Sequence, residues 1–105
     1  MDLRGLVLRS IENTGSFVNL KFMDPNGNVR ELKYQGLLLE TPSIQVGSRV
    51  SYVLSGQLVG FRGSTQLQRE GIDVDGYSQM IIIMDRSGSG KNEIICISKE
   101  FNFVD

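Results

Sequence analysis

Turn signals interrupt this chain at short, regular intervals, and no other feature constrains its fold as much. Clusters of glycine, asparagine, serine and proline recur every 8 to 15 residues, with short apolar or alternating runs between them. That is the pattern of a β-sandwich or small barrel, because runs this short close a strand before a helix could bury a face. The chain has twelve glycines and no alanine, so the best helix former is missing and turn formers abound. With 105 residues there is room for one domain, residues 1–105.

Seven strands are expected. Leu3–Ile11 is the first, and Asn13-Thr14-Gly15-Ser16 turns the chain into Phe17–Met23, a cleanly alternating run. Asp24-Pro25-Asn26-Gly27-Asn28 is the strongest turn, since proline fixes φ and Asn-Gly tolerates positive φ. Val29–Gln35 returns as the third strand. Gly36–Ser43 has room for one helical turn, which Pro42 stops. Arg49–Leu54 and Gln57–Gly63 are expected to form a hairpin over a two-residue Ser55-Gly56 turn. Residues 64–78 read as a long loop, followed by strands Gln79–Asp85 and Glu93–Phe101. Period-two alternation puts Val18, Leu20, Phe22, Leu32 and Tyr34 on one core face, and Val50, Tyr52, Leu54, Val59 and Phe61 on another.

The composition closes several chemical routes. Without a histidine the chain lacks the usual base and metal ligand near neutral pH, so a Ser–His–Asp or Cys–His arrangement is impossible. Cys96, the single cysteine, sits in Ile94-Ile95-Cys96-Ile97 and reads as a small buried hydrophobe. No disulfide framework points to an oxidising compartment, and the first residues lack the charged start and apolar stretch of a signal peptide. The longest apolar run, Met80–Met84, is far too short to span a bilayer. A soluble, cytoplasmic protein without cofactor or metal is expected, and not an enzyme.

Two motifs fail on inspection. Gly88-Ser89-Gly90-Lys91 lacks the earlier glycine, the Ser or Thr after the lysine and the following helix of a phosphate loop, so it reads as a hairpin loop. Asp73-Val74-Asp75-Gly76 lacks the further acidic ligands of a calcium loop.

Three meandering strands, a connector of about a dozen residues and a hairpin resemble the layout of the OB-fold barrel. Ile44–Gly56, with Val46-Gly47 feeding an alternating strand, is similar to the start of the fourth strand in such barrels. Leu20–Asp24 with Asn26-Gly27 is similar to their second strand and turn. The resemblance covers residues 3–63 and implies an all-β, OB-like barrel of five strands, here elaborated by a C-terminal β-hairpin.

Charge is divided unevenly along the chain: residues 1–63 carry +2 and residues 64–105 carry −3. Lys21, Lys33, Arg49 and Arg62 supply a mildly basic barrel face. The Ser55-Gly56 turn would set Arg49 opposite Arg62, a pairing that an anion would relieve. Phe17 is the best placed ring to stack a base, with Tyr77 the other candidate. The expectation is a non-enzymatic module binding single-stranded DNA or RNA through Lys21, Lys33, Arg49, Arg62 and Phe17. The alternative is a protein–protein or homo-oligomeric assembly module using a sheet edge, Gln79–Asp85 or Phe101–Val104, with Val53 and Leu58 exposed beside it.

Overall fold

A computed structural model describes residues 3–40, 44, 46–57, 68–69, 71, 76–85 and 92–104. The chain is all-β over these residues apart from a single helical step at 68–69. Six strands form one antiparallel sheet: β1 (Val7–Asn13), β2 (Val18–Met23), β3 (Val29–Glu40), β4 (Val50–Gln57), β5 (Ser78–Met84) and β6 (Glu93–Val104). Their order across the sheet is β1-β2-β3-β6-β5-β4. The two edges are tied over one short stretch, where Val7 bridges Arg49 and four backbone hydrogen bonds link Gly5–Leu8 with Gly47–Val50, among them Val50 N–H to the Leu6 carbonyl at 2.8 Å. No ladder joins β1 to β4 beyond that tie among the described residues, so the sheet is not a closed barrel.

The meander is built as the alternation predicts. Val18, Leu20, Phe22 and Leu32 are fully buried and Tyr34 nearly so. The turn between β2 and β3 is held by Asp24, whose Oδ1 accepts the N–H groups of Asn26 and Asn28, both at 2.9 Å. Gly27 takes the positive φ of 87° that this turn requires. These hydrogen bonds hold the Asp24 carboxyl below the usual carboxylate range, the Asn28 N–H contributing most.

Three expectations fail, each for a local reason. Gly36–Glu40 continues β3 rather than forming a helical turn. A bulge in β6, where Lys99 and Glu100 together oppose Gln35, lets Leu37, Leu38 and Leu39 pair with Ile97, Cys96 and Ile95, and apolar partners on a neighbouring strand decide what the leucine run alone leaves open. Nor does Ser55-Gly56 turn the chain. Gly56 lacks the positive φ of a two-residue turn, and β4 runs straight through it, with Ser55 opposite Met80 and Gly56 opposite Gln79. Finally, a bulge at Ser51 reverses the faces of β4. Val50 and Val53 therefore pack on the core, while Tyr52 and Leu54, expected inside, stand 46% and 52% exposed. The expected strand Gln57–Gly63 lies outside the described residues from 58 onwards, with Leu58, Val59, Phe61 and Arg62.

Of the two proposed edge segments, Gln79–Asp85 falls on β5 as far as Met84, between β4 and β6, whereas Phe101–Val104 is the end of β6 and among the described residues pairs on one side only, with Tyr34–Glu31 of β3. Among the described residues the outermost strands are β1 and β4.

The sheet is apolar on its inner face throughout and on its outer face at one end. Inside, Leu8, Leu20, Phe22, Leu32, Ile82 and Ile94 form the main core, joined by Phe101 and Phe103. Outside, Ile95 and Ile97 are covered by Leu37, Leu39, Tyr77 and Ile81. Cys96 and Tyr34 share the inner face. Burial pushes the Cys96 thiol up to about 12. Burial, reinforced by that thiol, pushes the Tyr34 phenol well above its ordinary value, and its hydroxyl donates to the Leu37 carbonyl at 2.8 Å. The folded chain thus keeps both protons where the unfolded chain releases them, from about pH 8.5 for the thiol and about pH 10 for the phenol. Stability from these groups is complete below about pH 8.5 and falls as the pH rises. A series of thermal melts should show a constant Tm up to that point and a decline above it. Cys96→Ala should delay the onset. In the native protein a thiol reagent should react with Cys96 only after denaturant is added.

Candidate functional site

An open groove of about 680 Å³ runs over the outer face where the β1–β2 turn, β3 and the β6 bulge meet. Phe17, Lys33, Tyr77, Lys99, Glu100 and Asn102 project along it, and Gln35, Gly36 and Ser98 form its floor.

Each group is positioned by local structure. Asn13-Thr14-Gly15-Ser16 forms the tight turn its composition suggests. Thr14 Oγ1 accepts the N–H groups of Ser16 and Phe17 at 3.3 and 3.2 Å, and Gly15 sits at φ 85°. This fixes the backbone of Phe17 and leaves its ring 42% exposed. The floor depends on Ser98, whose hydroxyl lies 2.7 Å from the Gln35 carbonyl and 2.8 Å from that of Glu100 and accepts the Glu100 N–H at 3.1 Å. Satisfying both the Gln35 carbonyl of β3 and the bulge at Lys99-Glu100 of β6, it locks the two strands along the groove. Tyr77 leans on Ile95 and Ile97, and its ring carries the Lys99 ammonium 5.4 Å from the centroid.

The electrostatics are mixed. Glu31 Oε2 lies 3.3 Å from Lys33 Nζ, and its Oε1 lies 3.8 Å from Lys21 Nζ. Both lysines are nearly half exposed, so these pairs are weak and a stronger anion can displace them. Lys33 and Lys99 supply the positive charge of the groove and Glu100 opposes them.

Set against known proteins, the chain matches no family model, no curated protein and no solved structure.

Of the residues singled out from sequence, the structure brings Phe17, Lys33 and the second ring candidate Tyr77 to one groove. Lys21 is the cross-strand neighbour of Glu31 on the same outer face but does not line the groove. Arg49 lies in a different cleft with Arg9, so the four cations do not form one patch. Arg62, and with it its expected opposition to Arg49, lies outside the described residues. Lys99 was missed; its signal was the polar step Ser98-Lys99-Glu100 inside an otherwise apolar strand. Cys96, fully buried with its thiol pushed to about 12, offers no nucleophile. No group of three or more acidic, cysteine or histidine side chains suited to a metal occurs among the described residues, and no helix there is long and apolar enough to cross a membrane.

Proposed function

We propose that this chain is a non-enzymatic binding module, an opened small barrel of OB-like type, that holds single-stranded nucleic acid in the groove between the β1–β2 turn and β6. The observation that carries this is the convergence of two rings and two ammonium groups, Phe17 and Tyr77 with Lys33 and Lys99, on one open groove. Stacking needs an accessible π-face, and phosphates need cations that are not locked in buried pairs. Small barrels of this type bind oligonucleotides on the face beside their second and third strands and the first turn, where this groove lies.

Two lysine–phosphate contacts give a modest, salt-dependent affinity. Fluorescence anisotropy of a labelled oligothymidylate should show log K falling against log salt with a slope near about −1.4. Lys33→Glu with Lys99→Glu should abolish binding and leave the melting temperature within a few degrees of the parent. Binding that ignores both salt and these substitutions would overturn the proposal.

A second reading, assembly through a sheet edge, is favoured by β4. Among the described residues it is an edge strand, and it exposes Tyr52 and Leu54. In that case the mass in sedimentation should rise with concentration, and Leu54→Lys should suppress the rise.

A further inference from the structure

We propose that the single strand does not end in the groove. It continues along the outer face of β2 and seats a backbone phosphate between Arg9 and Arg49, at the tie between the two sheet edges; the inference rests on the groove reading above.

The cleft in question is small, about 210 Å³, and is walled by Gly5, Val7, Met23 and Pro25, with Arg9, Arg49 and Asp24 as its charged groups. Arg9 is the extra residue of the β1 bulge, which falls between Leu8 and Ser10 and re-aims that side chain. Arg49 faces it because Val7 bridges Arg49 across the tie. Both arginines are exposed, and among the described residues neither meets a carboxylate at ion-pair distance. Asp24, ionised at the wall of the same cleft, offsets one of the two positive charges, so the cleft keeps a net positive charge. Its carboxylate is taken up by the N–H groups of Asn26 and Asn28 and the Asn28 side-chain amide, and Arg30 lies close enough to lower its pKa. Two exposed arginines lining one cleft of this size suit a tetrahedral oxyanion, for which the guanidinium's fork of donors is built.

β2 connects this cleft with the groove. Phe17, Lys21 and Met23 share its outer face, Phe17 lining the groove and Met23 the cleft. Six strand steps at ~3.3 Å separate them by roughly 20 Å. That length holds about six nucleotides at the stacked spacing, and fewer when extended, within the site sizes of small single-strand-binding barrels. Lys21 lies between Phe17 and Met23, and beside it the buried Asn19 Oδ1 meets no donor among the described residues.

The test compares a labelled dinucleotide with a labelled octanucleotide on the full chain. The octanucleotide should bind at least about ten-fold tighter. Arg9→Glu with Arg49→Glu should bring it down to the dinucleotide's level without changing dinucleotide binding, while Arg9→Lys with Arg49→Lys keeps most of the gain. Equal affinity for the two lengths, or an equal loss for both in the Glu variant, overturns the inference and leaves the groove standing. Absence of binding to either overturns both. If inorganic phosphate at matched ionic strength shifts the Arg9 and Arg49 side-chain resonances and the octanucleotide does not, the cleft is a free-anion site and the path along β2 is wrong.

Discussion

Gly36→Ala is expected to lower the folding stability by about 3 kcal/mol, the upper part of the range for forcing extra atoms into a filled space. A Cβ at this position would collide with the Ile97 carbonyl oxygen and come within 3.0 Å of its carbon and 3.2 Å of Ser98 Cα. These are backbone atoms of the neighbouring strand, so no side chain can swing aside, and the β3–β6 ladder itself must move. A loss of that size is a large fraction of the stability of a domain this small and should lower Tm by roughly 10–20 °C. Gly56→Ala is the matched comparison. It also lies inside a strand, but a Cβ there meets nothing within 4 Å. That substitution should be neutral or stabilise by roughly 0.5–1 kcal/mol, because alanine restrains the unfolded chain more than glycine does. Calorimetric melts of the two variants decide whether the close approach at the bulge is real. Similar melting temperatures would contradict the close pairing of β3 with β6 that forms the groove floor.

The second large effect concerns the rings. Phe17→Leu with Tyr77→Leu should weaken oligonucleotide binding at least about 30-fold, since each base–aromatic stack contributes about 1–3 kcal/mol. Leucine is chosen because Tyr77 covers Ile95 and Ile97, and truncation to alanine would confuse lost stacking with lost packing. Phe17 is exposed at the end of a turn held by Thr14, so its replacement should leave the melting temperature close to that of the parent. A tyrosine at position 17 should restore most of the affinity, whereas a purely structural role would not distinguish it from leucine. An unchanged dissociation constant in the double leucine variant would remove stacking from the account.

What the sequence disclosed follows the range of the interactions involved. The meander β1-β2-β3 was legible because its alternation and its turns are local: Val18, Leu20 and Phe22 are buried as their period requires, and the Asp24–Asn28 turn carries its own hydrogen bonds. The bulges were not legible. A one-residue slip at Ser51 exchanges the two faces of β4, and the alternation of Val50 to Leu54 is identical on paper whether the slip occurs or not. The path of β3 past Gly36 depends on a partner about 60 residues later, which no local pattern reveals. The candidate site divides along the same line. Phe17 and Lys33 could be named because short-range alternation and a turn place them. Lys99 joins them only through the β3–β6 pairing, and Arg49 leaves them because the tie with β1 carries it to the other end of β2.

The most direct measurement is the pattern of amide chemical-shift changes when a short oligothymidylate is titrated into the labelled protein. The account predicts that the shifted resonances cluster at Phe17, Lys33–Gly36, Tyr77 and Lys99–Asn102, on fast exchange and with loss at higher salt. Shifts confined to the β4 edge at Tyr52–Leu54, or no shifts at low salt, would contradict it.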